Sequence, residues 1–205
     1  QTAAGASDIF AHTVERYFAE GDCYLGDKFC EGLLRSVIKY APIAINDPKN
    51  YDAHAELMLA GSFSHNDTTG LGRLGMDGSC HGLETQVSGL FDTAHGAGLA
   101  VIMPAWMEFM IDTQEDIHQF VKFATNVFDV EYDMQDPKGV ALEGVKRFRA
   151  WLKEIGMPLT FKELGVKKED MQKLLDHTCK KDGSVGHHIP LYYDDVKRIF
   201  DSVVE

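Results

Sequence analysis

Apolar residues recur at helical spacing along most of this chain. In SDIFAHTVERYF, Ile9, Phe10, Val14, Tyr17 and Phe18 predict an amphipathic helix over about Ser7–Ala19, ended by Gly21-Asp22. Leu33, Leu34, Val37 and Ile38 mark a second helix from about Asp27, which Pro42 should kink or interrupt. Asp47-Pro48 reads as a turn, and Asn50 as the cap of a third helix over Tyr51–Ser62. Residues 61–82, GSFSHNDTTGLGRLGMDGSCHG, hold six glycines and predict an irregular loop. Its glycines either wall a cleft or supply positive φ angles in a long connection. The lone GLG resembles a phosphate turn, but no strand precedes it.

The remaining elements follow the same period. One helix is expected from near His81 to Leu90, and another from about Thr93 through a core stripe of Met103, Met107 and Met110. Thr113 with Asp116 reads as the start of a helix carrying Phe120, Val121, Ala124 and Val127. Asp136-Pro137 opens another, closed by Gly156 as a left-handed cap. Thr160 and Glu163 suggest a capping box, and residues 168–179 and 191–204 two last helices. No alternating strand exceeds a few residues, so the fold class is all-α.

Composition narrows the function. A chain of 205 residues suits one domain, with 44% hydrophobic content to build its core. A net charge of −12 argues against nucleic acid and anionic membranes. No apolar run approaches the roughly 20 residues that span a bilayer. Cys23, Cys30, Cys80 and Cys179 form no CxxC pair and read as reduced thiols of a cytoplasmic protein.

The candidate chemistry lies in CHGLETQVSGLFDTAHGAGLAVIMPAW, residues 80–106. His81 and His95 stand fourteen residues apart, about 21 Å along an unbroken helix, too far to share one ion. A break at Phe91-Asp92-Thr93, where Asp and Thr are good N-caps, would let them meet. The small residues around His95 let another backbone or a ligand approach closely. Asp8 and His12, four apart, share a helix face and can offer an oxygen and a nitrogen to the same cation. Three imidazoles and one carboxylate suit zinc or divalent iron. Glu84 reads as an ordinary helix face and Asp92 as a cap, although either could orient an imidazole. Cys80 reads as a small buried residue, and His54, His65, His118, His177, His187 and His188 as structural or surface histidines.

These segments resemble the iron-containing alcohol dehydrogenases, most closely the butanol-dehydrogenase-like branch. DIFAHTVERYF resembles that family's metal helix, and the two histidines fourteen apart with the PAW ending resemble its His-rich signature. MPLTFKELGV and YYDDVKRIF extend the similarity to the C-terminus. The resemblance implies the helical C-terminal domain of the dehydroquinate synthase-like fold, one metal-binding domain over residues 1–205. Asp8, His12, His81 and His95 become the implied ligands of Fe(2+) or Zn(2+). The implied reaction interconverts primary alcohols and aldehydes by hydride transfer with NAD(P)H. Thr85 stands where many relatives carry a further histidine, so Thr85 or water would carry the proton. No strand, glycine-rich turn and helix unit is present, so the nucleotide-binding N-terminal domain is expected to be absent. No cofactor-binding residue can therefore be assigned, and the chain alone should be inactive. The missing domain would leave an exposed face and favour a homo-oligomer. Two other functions remain open on the residues alone: a self-contained metal-dependent hydrolase or oxygenase, and a non-catalytic helical interaction domain.

Overall fold

The computed structural model describes residues 1–205. Ten helices follow one another: α1 (Thr2–Tyr17), α2 (Tyr24–Asn46), α3 (Tyr51–His65), α4 (Ser79–Phe91), α5 (His95–Thr113), α6 (His118–Phe128), α7 (Pro137–Glu154), α8 (Phe161–Leu164), α9 (Met171–Thr178) and α10 (Tyr193–Asp201). The only sheet is a two-stranded antiparallel ribbon of β1 (Ser184–Val185) and β2 (Leu191–Tyr192), with Val185 opposite Leu191. The expected all-α class therefore holds. No helix is long and apolar enough to cross a membrane.

Helix α5 is the axis of the molecule. From Gly96 to Ile111 all but one of its residues are buried, the exception being the half-buried Glu108. An element apolar all round needs neighbours on every side. α1, α4, α7, α8 and α10 supply them. Phe10 of α1 stacks on Phe148 of α7 with ring centroids 4.5 Å apart. A single cluster of 47 buried apolar residues runs through these contacts.

Several boundaries differ from the pattern-based reading, each for a local reason. α1 begins five residues earlier, at Thr2 instead of Ser7. α2 continues past Pro42 to Asn46, so the proline does not interrupt it. Asn50 caps α3 as expected, its side chain accepting from the Ala53 N–H at 3.0 Å. Asp92 and Thr93 do not cap α5. Asp92 instead closes α4 in a left-handed conformation (φ 52°), and Ala94 leads into α5. Thr113 is the last residue of α5, its hydroxyl bonded back to the Phe109 carbonyl at 2.8 Å, so it starts nothing. Asp116 alone serves α6, accepting from the His118 N–H at 3.0 Å. The Thr160 hydroxyl accepts from Glu163 N–H, but Glu163 reaches back to Leu159 N–H, so the box is shifted by one residue.

Residues 66–78 form the connection between α3 and α4. Gly72 (φ 75°), Gly75 and Gly78 all need positive φ, the conformational use of glycine expected for a long connection. A Cβ on Gly72 would also collide with Cys23, so the second glycine of GLG serves packing.

Candidate metal centre

Three helices bring the four expected side chains together. Asp8 and His12 lie on one face of α1, His81 is in the first turn of α4, and His95 is the first residue of α5. The Nε2 atoms of His12, His81 and His95 lie 3.7, 3.6 and 3.6 Å from the same oxygen, Asp8 Oδ1. Two donors on one ion, each about 2.1 Å from it, are at most about 4.2 Å apart. The three distances to Asp8 fit that limit; the donors of Asp8, His81 and His95 also lie within 4.8 Å of one another, whereas His12 groups with Asp8 and His65. Asp8 Oδ1 and His81 Nε2 are buried and have no hydrogen-bond partner in the protein. Unpartnered buried polar atoms are costly, and two that face each other suit a cation between them.

The orientation of the rings comes from two carboxylates. Glu15 and Glu84 are fully buried. Glu15 Oε2 is hydrogen-bonded to His81 Nδ1, and Glu84 Oε2 to His95 Nδ1. A carboxylate accepts only, so each Nδ1 carries the proton and each Nε2 keeps a lone pair for a cation. Glu84 was read from sequence as ordinary helix face. The structure gives it the orienting role instead, because residue 84 points at α5 and not at solvent. Asp92 takes no such part. Glu15 was missed. Its other oxygen accepts the Cys80 N–H at 2.6 Å and the His81 N–H at 3.4 Å, closing the otherwise uncapped start of α4. Its signal was a charged residue on the apolar side of α1, three after His12.

Small residues around His95 explain how close the helices come. An alanine Cβ at Gly96 would overlap the Ala4 carbonyl of α1, and one at Gly98 would overlap the Glu84 carboxylate. Cys80 is a fully buried thiol, as expected.

The electrostatics are those of a cation site. Burial disfavours the Asp8 carboxylate, but the neighbouring His81, His12 and His95 rings outweigh it and lower its pKa. Burial also opposes charge on His81, yet the nearby Asp8 carboxylate and the hydrogen bond to Glu15 raise the ring to about 9. Glu84 raises His95. His12 is pushed down to about 4, first by burial and then by His81. Asp8, Glu15 and Glu84 set three carboxylates against one nearby guanidinium, Arg16, which lies 3.5 Å from His12 Nδ1. Arg16 is itself paired with Asp67 at 3.2 Å, so with neutral imidazoles the cluster keeps an excess of negative charge.

Thr85 lies one turn beyond His81, exposed, with its hydroxyl donating to the Gly82 carbonyl at 3.3 Å. No hydrogen bond joins it to Asp8 or the three imidazoles. His65, read as a structural or surface residue, sits against the cluster, its Nε2 3.5 Å from Asp8 Oδ2. A cavity of about 560 Å³ lined in part by Phe18, Trp106, Met110 and His118 shares no residue with the cluster, so converging donors and not cavity size mark the centre.

Comparison with known proteins gives the same picture. The model for the C-terminal part of the Fe-containing alcohol dehydrogenase family matches residues 2–204. The chain is 35% identical over 203 residues to NADH-dependent butanol dehydrogenase A of Clostridium acetobutylicum, covering 98% of this chain and 51% of that protein. It is 28% identical over 207 residues to the NADPH-dependent aldehyde reductase YqhD of Escherichia coli, covering 98% of this chain and 51% of that one. The crystal structure of NADH-dependent butanol dehydrogenase A from Thermotoga maritima matches with a TM-score of 0.92 at 32% identity, over 100% of this chain and 52% of that chain. The chain spans about half the length of these relatives.

Proposed function

The chain belongs to the Fe-containing alcohol dehydrogenase family, and from that premise we propose that it is the metal-binding part of an NAD(P)-dependent enzyme interconverting primary alcohols and aldehydes. The observation that carries this reading is the convergence of three imidazole nitrogens on one Asp8 oxygen that has no other partner. Asp8, His12, His81 and His95 are the proposed ligands. The bound cation would supply Lewis-acid polarisation of the substrate oxygen.

The protein's own residues do the rest. Glu15 and Glu84 hold two rings in the binding tautomer and aim their Nε2 atoms inward. The buried apolar body of α5 keeps water from the protein side of the cluster. Thr85, on the same helix face as His81, or a water near it, would carry the hydroxyl proton to solvent. The donor set suits Fe(2+) and Zn(2+) alike. The nicotinamide would be bound mainly by the half of the relatives' length that this chain does not span. We therefore infer that residues 1–205 act as one helical metal-binding domain that needs a nucleotide-binding partner domain, and that the assembled protein is a homo-oligomer. Four free cysteines support a cytoplasmic setting. No observation favours a self-contained hydrolase or oxygenase, or a non-catalytic interaction domain.

Equilibrium dialysis against iron(II) or zinc, followed by elemental analysis, tests the centre. One ion per chain is expected, with loss of binding in Asp8→Asn. A wild-type protein that stays metal-free would overturn the reading. Butanol oxidation with NAD(P) by the 205 residues alone would refute the need for a second domain.

A further inference from the structure

His65 has no place in the ligand set above, yet it faces the same carboxylate. It is the last residue of α3, and its ring centroid lies 4.0 Å from that of His12. Its Nε2 is 3.5 Å from Asp8 Oδ2, the oxygen that the other three rings leave free. Asp8, His12 and His65 each offer a donor atom within 4.8 Å of the others, as do Asp8, His81 and His95. Only Asp8 belongs to both groups, one oxygen facing His65 and the other the remaining rings, so an ion that takes all five donors must draw the two groups together at Asp8.

The hydrogen bonds of His65 decide which nitrogen is available. Its Nδ1 lies 3.0 Å from the Gly61 carbonyl and 2.7 Å from Ser64 Oγ. The carbonyl can only accept. The Ser64 hydroxyl already gives its one proton to that same carbonyl, at 3.0 Å, and so accepts from the ring. Nδ1 therefore carries the hydrogen, and Nε2 turns a lone pair toward a carboxylate oxygen. Two lone pairs 3.5 Å apart repel unless a cation lies between them. A metal-binding histidine whose other nitrogen donates to a backbone carbonyl is the usual arrangement of such ligands. A surface histidine held only by its own helix would have no reason to aim this nitrogen at Asp8.

Resting on the reading of Asp8, His12, His81 and His95 as one cation site, we propose that His65 is a fifth, displaceable ligand of that cation. It caps the coordination position that an incoming oxygen ligand takes. The setting suits exchange. The His65 side chain is 43% exposed, against 14% for His81, and it ends a helix beside an irregular connection. Swinging it out breaks the short-range bonds to Gly61 and Ser64, whereas moving the His81 ring would break its bond to the buried Glu15.

Cobalt(II) loaded into the protein is the probe. Each imidazole bound through Nε2 shows one exchangeable, hyperfine-shifted Nδ1–H proton resonance. Four are expected in the wild type and three in His65→Ala, with stronger visible absorption as coordination number falls. Cobalt affinity should drop at least about tenfold, the lower end of what losing even an outer partner of a metal ligand costs. Azide added to the wild type should remove the His65 resonance and leave the other three. His65→Gln, which keeps a polar side chain at the helix end, should match His65→Ala and covers the case in which alanine unravels the end of α3. Three resonances in the wild type, or unchanged resonances and affinity in both variants, would overturn the inference while leaving the four-ligand centre standing. A wild type that takes up no cobalt would overturn both.

Discussion

Replacing Gly96 by alanine sets two effects of opposite sign against each other. In a helix the exchange normally stabilises, by up to about 1 kcal/mol. Here the new Cβ would overlap the Ala4 carbonyl oxygen and lie 2.6 Å from the carbonyl carbon. A backbone group cannot rotate away, so α1 and α5 must separate. Overpacking of this kind costs about 1–3 kcal/mol, and a backbone obstacle belongs at the upper end. The net loss is then about 1–2 kcal/mol, or about 2–8 °C in Tm for a chain of this size. Gly89→Ala is the control, because Gly89 is also helical and a Cβ there meets nothing within 4 Å. It should gain about 0.5–1 kcal/mol. The same separation moves Asp8 away from His95. Their present 3.6 Å leaves little room before the roughly 4.2 Å that one ion can bridge. Gly96→Ala should therefore bind cobalt or zinc more weakly even where it is fully folded. Thermal unfolding followed by circular dichroism, with a chelator competition for metal affinity, reads both effects. Equal gains in Tm for the two variants, with unchanged metal affinity in Gly96→Ala, would refute the close-approach argument.

Two further outcomes follow from groups around the site and the core. Glu84→Gln keeps the shape beside Gly98 but weakens the acceptor for His95 Nδ1, so metal affinity should fall by about 10–100-fold in chelator competition; an unchanged affinity would show that Glu84 orients nothing. Burial, more than any neighbouring charge, pushes the Cys30 thiol up to about 12. A raised thiol pKa adds stability that is complete below the unfolded value of 9.0 and is lost as pH rises toward about 12. Iodoacetamide at pH 8 should modify the half-buried Cys23 and leave Cys30 intact until the protein unfolds, as mass spectrometry of the labelled peptides would show.

The helices and four of the converging side chains were legible because both depend on local spacing. Asp8 and His12 share a face by the period of one helix, and the His81–His95 spacing requires a break that the chain does contain. What could not be read were roles set by another element. Glu15 caps α4 from α1, and the two are 65 residues apart where Glu15 meets Cys80. His65 ends α3 in a glycine-rich tract whose pattern says only that it is irregular. The cap assignments for Asp92 and Thr113 failed for a simpler reason. Asp tolerates the left-handed conformation that ends a helix as readily as it caps one, and a Thr hydroxyl can bond back within a helix as well as begin one.

The small residues beside His95 carry the last step. Their sequence suggests room for a backbone or a ligand, and the structure fills that room twice, with the Ala4 carbonyl at Gly96 and the Glu84 carboxylate at Gly98. Glu15 is satisfied inside the fold by two backbone N–H groups and the His81 ring. Glu84 is not. One of its oxygens has no partner, and the other depends on the His95 ring and a 3.4 Å contact from Ser88. A fully buried carboxylate so thinly partnered is destabilising unless the ring it touches is made a stronger donor. A cation on His95 Nε2, as proposed above, would do that by drawing electron density from the ring and acidifying Nδ1–H. On the proposed metal site, cation binding and helix packing would be one linked equilibrium, with His95 joining the α4–α5 contact to the ligand set.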